Sequence, residues 1–134
     1  MPLAPDDRCP CLSGETYGAC CGPVHAGERR APTAEALMRS RYSAFVLGGP
    51  AGAGYLAASW HPSTRPPAVD LADDVVWRRL DVVATERGGP FDDEGYVEFV
   101  AHYRDAAGRA TVHEISRFVR DDGTWSYVDG TPGG

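Results

Sequence analysis

An α+β fold is predicted for this chain, and three observations predict it. Helical periodicity is confined to residues 33–59, two-residue alternation begins only after Val75, and four cysteines are gathered ahead of both. Helices and strands segregated in this way argue against βαβ units, which would alternate along the chain. The expected order is a metal knuckle over residues 1–31, then helices packed on an antiparallel sheet of about four strands within residues 32–134.

Each element has a local cause. Thr33 is a plausible helix N-cap, and Glu35 sits in the first turn, where the helix dipole favours an acid. Leu37, Met38, Tyr42, Phe45 and Val46 recur at three- and four-residue spacing and form one apolar face. Arg39 and Ser40 are expected to fall away from that face, and Arg41 to border it. Gly48-Gly49-Pro50 ends the helix, and a shorter helix is expected over Ala53–Ser59, stopped by His61-Pro62. Pro62, Pro66 and Pro67 mark an extended connection. From Val75 the period is two: Val76, Leu80, Val82 and Ala84 are expected on one face, with Trp77, Arg79, Asp81 and Val83 between them. Val97, Phe99, Ala101 and Tyr103 share a face of the next strand. A third strand runs roughly from Ala110 to Arg120. Asp122-Gly123 is a strong hairpin signal, and a two-residue turn there would set Phe118 opposite Tyr127 and Arg120 opposite Trp125.

Composition narrows the partners. All 13 basic residues are Arg. Residues 1–67 hold six Arg against five acids, whereas residues 68–134 hold seven against fourteen, and the chain carries a net charge of −6. That balance makes nucleic acid an unlikely partner; only the N-terminal arginines could offer weak contact to nucleic acid or a ribosome. Met1 to Arg8 contains Asp6 and Asp7 and no apolar run, and no stretch is long and apolar enough to insert in a membrane. A cytoplasmic location is therefore expected.

The most specific signal is Cys9-Pro10-Cys11 followed by Cys20-Cys21-Gly22. Four thiolates within thirteen positions can surround one tetrahedral Zn²⁺, and four protein ligands leave no position for a reactive water. One structural zinc per chain is the expected cofactor. Two disulfides, free thiols, or a redox role for the vicinal pair are the alternatives, and a reducing compartment disfavours the first. His25 is close enough in sequence to replace a ligand or support one. Four thiolates around Zn²⁺ leave a local charge of about −2, which Arg8, Arg29 and Arg30 flank in sequence.

The run C-P-C-L-S-G-E-T-Y-G-A-C-C-G resembles the SEC-C zinc motif. The segments A-P-T-A-E-A-L-M-R-S-R-Y-S-A-F, W-H-P-S-T-R-P, G-G-P-F-D-D-E-G and S-R-F-V-R-D-D-G-T-W-S-Y-V-D-G resemble the YchJ-like family of small bacterial proteins. The resemblance implies a zinc knuckle followed by a nuclear-transport-factor-2-like domain, a cone of helices wrapped by a curved sheet. It differs from the family pattern in two ways. Some members carry a second SEC-C motif after the domain, and many SEC-C motifs are rich in Lys where this one carries Glu15 and Ala19.

Cone domains of this kind commonly enclose a cavity, and its candidate polar lining is Arg39, Arg41, Tyr42, His61, His113, Glu114, Ser116 and Arg117. Alternation places Glu114, Ser116 and Phe118 on one face and His113, Ile115 and Arg117 on the other. His61 with Glu114 or Asp129 is the candidate acid–base pair, and the three arginines could clamp an anion. No catalytic residue is assigned. The reading the sequence favours is a non-enzymatic module that docks on a protein partner through the knuckle; the alternative is a small-molecule-binding protein or enzyme using the cavity. A homodimer through the sheet is a further expectation.

Overall fold

The computed structural model describes residues 3–133. A 3₁₀ turn over Tyr17–Ala19 leads into a short helix α1 (Cys21–His25), followed by α2 (Ala34–Leu47) and α3 (Gly49–Ala58). Strands β1 (Val76–Arg87), β2 (Glu94–Asp105), β3 (Gly108–Asp121) and β4 (Thr124–Pro132) form one antiparallel sheet in the order β1-β2-β3-β4. This is the α+β arrangement that the sequence predicts.

Helix α2 organises the molecule. Thr33 caps it, its hydroxyl accepting from Ala36 N–H at 3.0 Å. One side packs on β1, β2 and β4, and the other packs on α1 and α3. Leu37, Met38 and Tyr42 enter a core with Leu80, Val97, Ala101, Phe118 and Trp125. The opposite side is covered as well: Ser40 and Ser43 are both 0% exposed. Ser40 therefore does not fall away to solvent as the apolar pattern suggests, because α3 and the cysteine segment close over it. Its hydroxyl lies 2.6 Å from Tyr55 Oη. Gly52 is what lets α3 approach so closely, since a Cβ there would strike the carbonyl oxygen of Ala44.

Helix α3 starts at Gly49, four residues before the expected Ala53, because Pro50 fits the first turn of a helix instead of merely ending the previous one. After α3 the chain adds a short parallel bridge to the sheet: His61 N–H donates to Tyr127 O at 2.7 Å, and Tyr127 N–H to Ser59 O at 2.9 Å. That bridge closes the domain over the end of β4.

The hairpin register is the predicted one, with Phe118 opposite Tyr127 and Arg120 opposite Trp125. Asp122 and Gly123 both have positive φ, 52° and 77°, the conformation a two-residue turn between right-twisted strands requires. Strand β1 departs from simple alternation. A register shift between Trp77 and Arg79 changes the phase, so Trp77 joins Leu80 on the core side while Val76 is 47% exposed. A second shift between Val82 and Ala84 turns Ala84 outward.

Candidate metal centre and domain pocket

The two cysteine pairs arrive from opposite sides of a loop. Cys9 and Cys11 flank a turn closed by Leu12 N–H on Cys9 O at 3.1 Å, and Leu12 takes a φ of 64°. The 3₁₀ turn delivers Cys20, and Cys21 begins α1. The four sulfurs lie within 4.8 Å of one another, with Cys11–Cys20 at 3.7 Å and Cys20–Cys21 at 3.9 Å. None is in a disulfide, and Cys9, Cys11 and Cys21 are buried. The arrangement is suited to hold a metal ion.

The electrostatics point the same way. Hydrogen bonds from Cys11 and Cys21 hold the Cys9 thiol far below its ordinary pKa, while the same crowding by Cys11 and Cys9, with burial, pushes Cys21 far above it. One thiolate forms readily and the next is resisted, so a full set of thiolates needs a cation at its centre.

The domain supports this cluster from α2. Ser43 Oγ lies 3.4 Å from Cys21 Sγ and 3.7 Å from Cys9 Sγ. Arg39 donates to Cys11 O at 2.6 Å, Arg29 to Cys20 O at 2.8 Å, and Ser13 Oγ to Cys20 Sγ at 3.2 Å. His25 stands outside the sulfur group: its Nε2–H donates to Ser40 O at 2.8 Å, so Nδ1 accepts from Tyr17 Oη at 2.7 Å. Burial lowers its pKa and favours this neutral form.

Across α2, on the sheet side, lies a cavity of about 250 Å³. Its walls are mainly aromatic and aliphatic, including Met38, Phe45, Trp77, Phe99 and Phe118, with Arg41, Tyr42, Glu114, Ser116 and Tyr127 as polar members. Arg41 is 7% exposed. Its Nη1 donates to Leu56 O at 2.9 Å and Ser59 Oγ at 2.6 Å, and its guanidinium lies 5.1 Å from the Trp60 ring centre and 4.5 Å from that of Tyr127. Burial draws its pKa down to about 10, which still leaves it charged near neutrality. Tyr127 is pushed up to about 12 by burial and then by the charge of Glu114. Ser116 Oγ donates to Glu114 Oε2 at 2.6 Å.

A cysteine cluster stapled to a helix-on-sheet domain matches two family models: the SEC-C motif over residues 7–23, and the YchJ middle NTF2-like domain over residues 33–130. The chain belongs to the YchJ-like family. A UPF0225 protein of Streptomyces coelicolor is 48% identical over 97% of both chains, and one from Corynebacterium efficiens is 48% identical over 95% of both. Solved structures agree in fold. A SEC-C motif-containing protein from Rhodopseudomonas palustris has a TM-score of 0.78 at 33% identity, covering 94% of this chain and 98% of its own. A SEC-C motif-containing protein from Psychrobacter arcticus has a TM-score of 0.73 at 30% identity, covering 97% and 85%.

Within this YchJ-like domain the residues expected at the cavity separate into two groups. Arg41, Tyr42, Glu114 and Ser116 line it. The other four do not. Arg39 points to the opposite side of α2, where it binds Cys11 O and Glu35. His113 and Arg117 stand on the outer face of the sheet, as strand alternation requires, paired with Glu98 and with Glu94 and Asp129. His61 meets neither Glu114 nor Asp129. Its Nε2 lies 2.7 Å from Asp121 Oδ2, while Nδ1 accepts from Ser63 N–H and Ser63 Oγ, which closes the turn after Trp60.

The flanking arginines also divide. Arg29 serves the cysteine loop, but Arg30 reaches Asp122 O at 3.5 Å, and Arg8 pairs through its backbone with Thr16. Three functional positions escape sequence reasoning: Ser43, Trp60 and Tyr127. A row of small residues on the back of α2 (Ser40, Ser43, Ala44) was the available signal for the first, since such a row permits close approach. No helix among the described residues is long and apolar enough to cross a membrane.

Proposed function

We propose that this YchJ-like protein is a zinc-stabilised small-molecule-binding domain, in which the knuckle is a structural brace and the cavity is the working site. The observation that carries the reading is the pairing of an aromatic-walled cavity with a buried arginine at its edge. Ligand sites are typically apolar concavities with a few fixed polar groups, and Arg41 is fixed by two acceptors and two rings.

Zinc is the metal that the sulfur set fits. A tetrahedral ion with bonds near 2.3 Å requires sulfurs about 3.8 Å apart; Cys11–Cys20 and Cys20–Cys21 lie at 3.7 Å and 3.9 Å, and all four sulfurs lie within 4.8 Å of one another. All-thiolate coordination selects zinc over harder cations. The ion would be held by Cys9, Cys11, Cys20 and Cys21, and would supply folding energy to a segment whose own buried cluster, among the described residues, is those cysteines and Tyr17.

The test is a thermal-melting screen of the zinc-loaded protein against a small-metabolite library, with hits mapped by ¹⁵N–¹H NMR. Hits that raise the melting temperature and shift residues such as Phe99, Trp60 and Tyr127 support the reading. Hits that shift only the cysteine loop overturn it.

Protein docking is the second reading, and one observation favours it. Phe91, at the turn between β1 and β2, is 96% exposed, and Leu12 on the cysteine loop is 43% exposed. Phe is enriched at the buried centre of protein interfaces, so Phe91 is a side chain that a partner would cover. Docking predicts that Phe91→Ser or Leu12→Ser abolishes capture of a partner while leaving the melting temperature unchanged.

A further inference from the structure

We infer that the cavity takes a small organic acid, a single carboxylate on Arg41 with an aromatic or branched apolar body against Phe99 and Phe118. This inference rests on the cavity being the working site, and adds what would occupy it.

A charged side chain with 7% exposure is normally paired, because an isolated buried charge is strongly unfavourable. Arg41 makes no ion pair among the described residues. Its Nη1 is used by Leu56 O and Ser59 Oγ, which are neutral acceptors, and the Nε–Nη2 edge makes no hydrogen bond within the described residues. Two parallel N–H groups are the donor pair that a carboxylate engages bidentately.

The guanidinium plane is also held before any ligand arrives. Trp60 and Tyr127 pack against it, and Ser59 Oγ, itself bonded to Tyr55 O at 2.8 Å, fixes one corner. A ligand would therefore lose little binding energy to ordering the site. The buried Trp60 indole Nε1–H has no hydrogen-bond partner among the described residues, so a lining residue holds a second unanswered donor.

The cavity of about 250 Å³ lies below the usual range for drug-sized ligands and suits a single-ring molecule. Glu114, in the same lining, supplies a negative charge that acts on both Arg41 and Tyr127, and Ser116 Oγ donates to its carboxylate. That charge favours a monoanion confined to Arg41 over a phosphate dianion, for which the cavity lining offers no second cationic side chain.

The experiment uses three probes with one body and different heads: 3-phenylpropionate, 3-phenylpropan-1-ol and 3-phenylpropylamine. Each is titrated into the zinc-loaded full chain while the Trp60 indole resonance is followed by ¹⁵N–¹H NMR. The acid is expected to bind at least tenfold more tightly than the alcohol, and the amine more weakly than either. In Arg41→Lys the acid should fall to the affinity of the alcohol, because the charge remains and the fork is lost. An alcohol or amine that binds the wild-type protein as tightly as the acid overturns the organic-acid assignment and leaves the cavity as the binding site. If none of the three moves the Trp60 resonance while a wider screen shifts only the cysteine loop, the cavity reading falls with it. The wild-type comparison stands on its own should Arg41→Lys fail to fold.

Discussion

The two faces of α2 handle buried charge in opposite ways. On one face four cysteine sulfurs crowd within 4.8 Å, supported by Ser43 and by the Arg39 and Arg29 side chains, which donate to the carbonyls of Cys11 and Cys20. On the other face Arg41 is clamped by aromatic rings and two neutral acceptors, with one donor edge left over. The cysteine face has a complete ligand set and no vacancy for a substrate once a metal is in place. The arginine face has an incomplete one. In the proposed function the closed site gives stability and the open one recognition, and a single fourteen-residue helix (Ala34–Leu47) borders both.

Breaking the closed site should have the largest effect. Structural zinc contributes about 10–16 kcal/mol of apparent binding energy in small metal domains. Cys21→Ser, or prolonged chelation, should therefore unfold the segment before Pro32 while the sheet persists. In ¹⁵N–¹H NMR the cysteine-loop resonances should collapse to random-coil shifts while those of β2 and β3 stay dispersed. Simultaneous loss of both would show that the sheet domain depends on the knuckle.

A lesion in the helix–sheet core should behave in the converse way. Phe118 is 1% exposed and packs against Tyr127 at a ring separation of 5.8 Å. Phe118→Ala is expected to destabilise the sheet domain by about 3–5 kcal/mol in urea unfolding, with metal stoichiometry unchanged. Ser43→Ala sharpens the comparison further, because Ser43 belongs to the domain but touches the sulfurs. Removing a supporting hydrogen bond typically weakens a metal site about 10–100-fold, and competition with a chromogenic chelator should read that loss. An unchanged affinity would show that the cysteine loop holds its metal without help from α2.

The smallest expected effect is a pH dependence. The folded-state pKa of Tyr127 is raised to about 12 from the ordinary 10. Above pH 10 the unfolded chain gives up this proton while the folded chain keeps it. The stabilisation is therefore complete below pH 10 and is lost as pH rises toward 12. Tyr127→Phe should flatten that part of the stability profile relative to wild type; an identical slope would mean that the phenol is not buried in solution.

Much of this was legible in the sequence where interactions are local. The C-x-C and C-C spacing brings the sulfurs together through turns a few residues long, and Asp122-Gly123 dictates the hairpin register by its own backbone preference. Strand alternation likewise separates Glu114 and Ser116 from His113 and Arg117. What could not be read depends on distant partners. Ser40 and Ser43 look solvent-facing because a hydrophobic pattern registers only apolar burial, and nothing in α2 announces that the cysteine loop covers its polar side. His61 chooses Asp121, sixty residues away, over Glu114 because of the path taken after α3. The shift at Arg78 exchanges Val76 for Trp77 in the core, and alternation alone has no means to register an extra residue.

The division between a closed brace and an open pocket is tested most directly by X-ray absorption at the zinc edge of the purified protein. A shell of four sulfurs near 2.3 Å with no nitrogen or oxygen ligand is the expected result. A shell containing a nitrogen or oxygen atom would reopen the metal as a site of chemistry. Folded protein without metal, its cysteines paired with one another, would remove the brace altogether.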